Sequence, residues 1–283
     1  MSKVREFALI NEYNEERVLN NSTNGFFEEP DGLGFEISAS FAGVQTGWML
    51  NGEKDVQVMK TGNIVFGTDE PYTRAEEFFR YIRRSKKLKL RYTTTAGTKY
   101  IDVKITQIGK SEIGEGNWLR CPISIAPMTL WYNIIPQRIE VEEQYEDAKR
   151  YTYSYPYKYQ DFSAAGIDIL NESGKPAAVE LEFYGPISNP VIILEQNGAE
   201  VARCEITGTA EEDERILYSS VENDIYCVLV DAAGNETNLI PGFSLQNENF
   251  LYIPEGNSTI RITADSEVSG TIMITIRRYY RIV

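Results

Sequence analysis

The sequence predicts a mainly β protein with two domains: an α+β barrel or sandwich carrying one amphipathic helix, followed by an all-β sandwich. Three observations support this fold class. Apolar residues recur at helical spacing in one stretch after Pro71, whereas alternating apolar and polar segments fill most of the remainder. With 283 residues and 42% hydrophobic content, the chain can bury two cores. The net charge of -14 also lies entirely in its second half.

The segments before the helix predict strands that follow a long polar loop. Residues 35–42 and 54–66 have strand patterns, and we expect a turn at residues 61–63 to interrupt the second. Residues 20–34 are rich in Asn, Gly and Pro, which predicts a long loop. Loops of this length in a compact domain usually have a function.

A helix is predicted to begin at Pro71, because proline is tolerated in a first turn, and Thr68 or Asp69 can cap its free amides. Its apolar residues recur at three- and four-residue steps, so they share one face that packs on a sheet. The predicted helix core consists of Tyr72, Phe78, Phe79 and Ile82, together with Ala75.

The end of the helix is basic: residues 80–91 contain seven cations and no acid. Such a run is either a solvated edge or a docking surface for an acidic partner. The candidate docking residues are Arg80, Arg83, Arg84, Lys86 and Lys87.

Strands are predicted on both sides of a central connector. A hairpin with its turn at residues 96–97 follows the helix, and a further strand ends at Trp131 and Tyr132. From Ile167 onward, seven or eight short alternating segments indicate a β-sandwich. Within it, the Asn197-Gly198 dipeptide favours a two-residue type I′ hairpin.

The composition argues against catalysis. The chain has no histidine and no nucleophile, phosphate-loop or zinc motif, so we expect no enzyme activity, no metal and no cofactor. The four consecutive acids at 211–214 are interpreted as a solvated charge run. Cys121, Cys204 and Cys227 lie in alternating apolar segments without metal-ligand spacing, which predicts buried core residues.

The charge distribution also bears on the partners. Residues 1–140 hold equal numbers of acids and bases, whereas residues 141–283 are strongly acidic, which argues against binding to nucleic acid or anionic lipid. No apolar run reaches the ~20 residues that span a membrane, and charges at Arg5 and Glu6 interrupt any signal peptide. We therefore expect cytosolic synthesis and no membrane insertion.

A tyrosine-rich connector separates the two predicted domains. Five tyrosines occupy every second position from 151 to 159, so an extended chain presents them on one side. They are predicted to cover a seam between domains or subunits. A stacking platform for bases or sugars is the alternative.

The order of these parts resembles the distal tail protein family of siphovirus-type bacteriophages. The matching parts of the first domain are the strand at 64–66, the helix ending at residues 79–82, the strand at 88–92, the turn at 108–112 and the closing Trp131-Tyr132. The tyrosine-rich stretch 151–157, followed by an all-β domain, is the second point of likeness.

This resemblance implies a structural protein of the virion tail tip, made in the cytoplasm of the bacterial host. It implies a hexameric ring that joins the tail tube protein to the tail-tip hub or baseplate and supports receptor-binding proteins and host attachment. The implied domains are a ring-forming, tail-tube-like domain at 1–138, the connector at 139–162, and a galectin-like or jelly-roll sandwich at 163–283.

A carbohydrate-binding module that attaches directly to host cell-surface glycans is the alternative function. Sugar sites combine an aromatic platform with polar groups, and all three tryptophans lie in the first domain. The candidate glycan contacts in the second domain are Tyr184, Tyr218, Tyr226 and Tyr252.

Overall fold

A computed structural model describes residues 5–21, 23–67, 69–140, 165–265 and 271–283. The chain divides into two compact units, Met1–Asn133 with Tyr280–Val283, and Ile134–Tyr279. The described residues are mostly β with a single α-helix, which confirms the predicted fold class. Apart from the end of one strand at Glu140, the predicted connector at 139–162 and its five tyrosines lie outside the described residues.

The first unit combines one helix, α1 (Pro71–Arg84), with antiparallel strands. These are β1 (Arg5–Asn11), β2 (Glu16–Val18), β3 (Asn20–Asn21), β4 (Gly25–Asp31), β5 (Ile37–Val44), β6 (Gly47–Asp55), β7 (Lys60–Phe66), β8 (Leu88–Thr94), β9 (Gly97–Ile108), β10 (Leu119–Pro127) and β11 (Trp131–Glu140), which begins in this unit.

The main sheet of this unit curls into a barrel. Its strand order is β3, β4, β7, β10, β9, β8, β1 and β2. The Leu19 N–H donates to the Phe7 carbonyl (2.7 Å), and the Phe27 N–H donates to the Leu19 carbonyl (3.1 Å), so residue 19 connects β1 to β4. This bridge links the two ends of the sheet and closes it into a barrel.

The helix covers the barrel with a stripe of buried side chains. Ala75, Phe78 and Tyr81 are fully buried, while Tyr72, Phe79 and Ile82 are partly buried against the same core. Tyr81 was absent from the predicted set, although its position three residues after Phe78 was a signal for it. The buried stripe therefore lies slightly to one side of the predicted face.

The start of the helix tests only one of the two predicted caps, Asp69, which does not occupy the N-cap position. Thr68 lies outside the described residues, and the structure shows no side-chain cap at the N-cap residue, Glu70, which has a left-handed backbone (φ 48°). The Asp69 carboxylate instead accepts a hydrogen bond from Arg74 Nη2 (3.1 Å). At the other end, the Ser85 N–H and hydroxyl both donate to the Tyr81 carbonyl.

Two predictions for the N-terminal segments are wrong. Most of the predicted loop at residues 20–34 is strand, because β4 pairs with β7 and buries Phe27 while its polar residues face outward. The predicted turn at 61–63 lies inside β7 instead. A Cβ on Gly62 would lie 2.6 Å from Phe27 Cε2, so glycine here permits the close approach of β4 and does not mark a turn.

The second unit is a two-sheet sandwich. Its strands are β12 (Ala165–Asn171), β13 (Ala177–Tyr184), β14 (Ile187–Ser188), β15 (Val191–Gln196), β16 (Ala199–Glu205), β17 (Thr209–Ala210), β18 (Arg215–Ser219), β19 (Tyr226–Val230), β20 (Glu236–Asn238), β21 (Tyr252–Ile253), β22 (Gly256–Thr263) and β23 (Thr271–Tyr280), with a 3-10 turn at Ile240–Gly242.

One sheet of the sandwich has the order β12, β22, β15 and β16, and the other has β20, β19, β18, β13 and β23. The inward faces of both sheets form one apolar core, which includes Phe183, Ile192 and Ile274. The predicted hairpin is confirmed: β15 and β16 pair across Asn197 and Gly198, which have φ values of 53° and 76°.

The three cysteines are buried and unpaired, as the sequence predicts. Cys121 belongs to the barrel core, and Cys204 and Cys227 belong to the sandwich core. Burial raises the pKa of each thiol, to about 12 for Cys227. At neutral pH the three thiols are therefore protonated and belong to the apolar cores.

Candidate interaction surfaces

The hairpin formed by β5 and β6, residues 37–55, is the most exposed apolar feature of the first unit. We call it the hairpin arm. Its two strands form their own two-stranded sheet. Isolated two-stranded hairpins are marginally stable in water, so such a hairpin normally packs against another structural element.

Both faces of the hairpin arm are apolar. Phe41 lies opposite Leu50, and Trp48 lies opposite Gly43, so the three large side chains share one face. Trp48 is 78% exposed and Phe41 is 61% exposed. The opposite face presents Met49, which is also exposed. Contiguous exposed apolar surface of this kind is typical of protein–protein interaction sites.

Ion pairs hold the base of the hairpin arm to the end of the chain. Arg281 Nε lies 2.8 Å from Asp55 Oδ1, and its Nη2 lies 3.9 Å from Glu53 Oε1. The Val56 N–H also donates to the Glu36 carbonyl (3.0 Å). The arm is therefore anchored at its base while its apolar tip is exposed.

The basic end of α1 contains a cleft of about 380 Å³, which we call the basic cleft. Its lining residues are Arg17, Glu77, Arg80, Tyr81 and Arg84. One carboxylate thus faces three guanidinium groups, so the cleft favours anionic groups.

Tyr81 forms the floor of the basic cleft. Its hydroxyl lies within hydrogen-bond distance of the carbonyl oxygens of Leu9 (3.0 Å) and Glu15 (2.9 Å). Burial, together with the nearby Glu15 carboxylate, raises the pKa of Tyr81 to about 12. The guanidinium carbons of Arg17 and Arg84 lie 5.6 and 5.9 Å from its ring centroid, in the range of cation–π contacts.

The other predicted docking residues lie beside the cleft. Arg83 is exposed on α1, and Lys86 and Lys87 are exposed in the turn that follows. The backbone N–H groups of both lysines donate to the Glu12 carboxylate, and these bonds lower the pKa of Glu12. The structure thus brings Arg80 and Arg84 together in the cleft and leaves the other three residues outside it.

The four candidate glycan contacts do not form one platform. Tyr218 is fully buried, its hydroxyl donates to the Asn249 carbonyl (2.9 Å), and it accepts the Leu251 N–H (2.8 Å). Its assignment as a glycan contact is corrected, because the side chain belongs to the sandwich core. Tyr184 is 40% exposed, and Tyr226 and Tyr252 are half-buried.

Among the described residues, no cluster of three or more acidic, cysteine or histidine side chains is arranged to hold a metal ion. The one α-helix in the described part of the chain is too short and too polar to cross a membrane.

Comparisons with known proteins give one match to a family model. The family model described as "Distal tail protein, N-terminal domain" matches residues 6–128. No curated protein matches the chain.

Solved structures match nearly the whole chain. A chain of the phage P2 baseplate, in its activated conformation with calcium, has a TM-score of 0.73 and 17% identity, covering 99% of this chain and 100% of that chain. The Dit protein of phage SPP1, described as a paradigm of the hub adsorption apparatus in phages that infect Gram-positive bacteria, has a TM-score of 0.61 and 9% identity, covering 97% and 99%. At these identities, the structural matches establish a common fold. The family match confirms the resemblance predicted from the sequence, because residues 6–128 match the distal tail protein N-terminal domain.

Proposed function

We propose that six copies of this chain form a closed ring at the distal end of a siphovirus-type tail. The ring joins the tail tube protein to the tail-tip hub and supports host attachment. The number six comes from the family resemblance. In this proposal residues 1–138 form the ring, and the sandwich at 163–283 carries receptor-binding or other tail proteins. The ring is assembled from subunits made in the host cytoplasm.

The observation that carries the proposal is the hairpin arm. Burying the side chains of Phe41, Trp48 and Leu50 against another copy stabilises the contact by about 1.5–3 kcal/mol for each side chain. In this proposal the arm packs against a different surface on the neighbouring copy. Such a heterologous contact produces a ring when the rotation between copies closes.

The test is assembly of the full chain with the double substitution Phe41→Ser and Trp48→Ser. We expect wild-type protein to form particles with a central hole in negative-stain micrographs, and the double variant to sediment as a monomer. The matched control is Tyr13→Ser with Leu245→Ser, because both are exposed apolar residues outside the arm. Equal assembly of the arm variant and wild type would refute a ring built on the arm.

Direct glycan binding is the second candidate function, and the exposure of Tyr184 favours it. A sugar ring can stack on an exposed tyrosine. The acidic sandwich supports the protein-docking function more strongly, because its charge favours a basic partner.

A further inference from the structure

We propose that the basic cleft of one copy binds the acidic turn of a second copy, where the acidic turn is residues 211–214. This contact is additional to the hairpin arm, and neither contact requires the other. It would connect the first unit of one copy to the second unit of the next.

Two of the cations that line the basic cleft have no ion-pair partner among the described residues, although Glu77 also lies in the lining. Arg84 is paired with Glu15, but neither Arg17 nor Arg80 forms an ion pair with any described residue. Arg17 is held over the Tyr81 ring, and Arg80 is exposed at the rim. The cleft thus presents two guanidinium groups whose donors are available to a carboxylate from outside.

The acidic turn carries the charge that complements the basic cleft. Glu211, Glu212 and Asp213 are exposed, and within the described part of the chain none of their carboxylates is paired with a cation. Three adjacent carboxylates repel one another, and an external cation relieves this repulsion. The excess of acid in the second half of the chain adds long-range attraction to a basic surface.

The acidic turn is held in shape by its backbone. The Gly185 N–H donates to the Glu214 carbonyl (3.0 Å), and the Glu214 N–H donates to the Glu211 carbonyl (3.0 Å). The Glu211 N–H donates to Glu214 Oε2 (3.0 Å), so this fourth carboxylate is used inside the turn. The other three side chains project from a preorganised backbone, which lowers the entropy cost of binding.

The size of the cleft fits this occupant. A volume of about 380 Å³ admits one or two carboxylate side chains but not a folded domain. The cleft is itself preorganised, because Tyr81 is buried and fixed by its hydroxyl. Two rigid surfaces of opposite charge on every copy favour a repeating contact between copies.

The test is zero-length cross-linking of the full chain. An Arg80→Lys variant keeps the charge and supplies an amine that carbodiimide can join to a carboxylate. Equal amounts of isotopically light and heavy protein are mixed, so that mass spectrometry separates links between copies from links within one. Arg83→Lys is the matched control, since Arg83 lies on the same helix and does not line the cleft.

We expect mixed-isotope links from position 80 to residues 211–213, at least about tenfold more abundant than those from position 83. Links confined to one isotope, links to a different element, or equal yields from positions 80 and 83 would each overturn the proposal. Absence of any such link in the purified chain, as expected if another acidic tail protein were the true occupant, would also overturn the proposal.

Reversing the charge of each surface gives an independent test of the contact. Arg80→Glu alone, or Glu212→Lys with Asp213→Lys alone, is expected to reduce low-salt association between copies at least about tenfold, and mixing the two variants is expected to restore it. Failure of the mixture to associate more than either variant alone would exclude this pairing.

Repeating the cross-linking with Phe41→Ser and Trp48→Ser separates the cleft contact from the hairpin-arm contact. Links that persist in this variant would support the cleft contact even if the ring proposal fails.

Discussion

The ring of Phe78 on the helix meets the ring of Phe66 on β7 edge to face, with centroids 5.8 Å apart and planes at 60°. This contact joins the helix to the barrel beside Ala75 and Tyr81, which are also buried. The packing makes the helix part of the barrel core, whereas its basic residues remain on the outside.

Phe78→Ala should therefore destabilise the first unit by about 3 to 5 kcal/mol, because it removes a buried ring and leaves a cavity. Arg83→Ala is the control, since it removes an exposed side chain from the same helix. Chemical denaturation of both variants measures the difference in the free energy of unfolding. Similar losses for the two would mean that the buried face has been misidentified.

Tyr81 should give the first unit a pH dependence above pH 10. Its pKa is about 12 in the folded protein and about 10 when unfolded, so the unfolded state releases its proton first. The stability contributed by the neutral hydroxyl is fully present below pH 10 and is lost as the pH rises toward 12. Tyr81→Phe should flatten this decline in denaturant titrations at several pH values, whereas Tyr13→Phe, at an exposed site, should not.

Gly185→Ala should disrupt the acidic turn. A Cβ there would lie 1.8 Å from the Glu211 carbonyl oxygen, so the backbone of residues 211–214 would have to move. We expect a loss of at least about 2 kcal/mol from the sandwich, of the size produced by severe strain. Gly166→Ala, whose nearest contact would be 3.9 Å away, is the control. Equal melting temperatures for the two variants would contradict the close contact.

Salt dependence should distinguish the two functions considered for the sandwich. A basic protein partner should bind the full chain much more weakly at physiological salt than at low salt, because the Debye length falls to about 8 Å. Stacking of a neutral sugar on tyrosine should hardly change. A selective glycan-array signal that resists salt and disappears with Tyr184→Ala or Tyr252→Ala would favour the glycan-binding function instead.

The sequence predicted those elements whose signals are local. The Asn197-Gly198 hairpin and the helix starting at Pro71 follow from backbone preferences within a few residues. The strand β4 was missed, because its Asn, Gly and Pro composition resembles a loop and its pairing with β7 is a long-range contact. Such pairing depends on the partner strand, which local propensity does not describe.

The interaction surfaces were predicted less completely for a similar reason. The cations near Arg80 could be counted from the sequence, but Arg17 reaches the same cleft from a separate strand. Tyr218 was selected for its chemistry, yet it belongs to the buried face of its strand together with Ile216. The exposure of Trp48 likewise depends on the tertiary structure, since apolar residues on strands usually face a core.

The burial of all three thiols makes the protein suitable for site-specific labelling. Thiolates react with maleimides, and the raised pKa values of Cys121, Cys204 and Cys227 keep these groups protonated and enclosed at neutral pH. A cysteine introduced at an exposed position of the hairpin arm, such as Ser40, would then carry a single fluorophore on an otherwise unaltered chain. Energy transfer between such labels could follow the spacing of neighbouring copies during tail assembly.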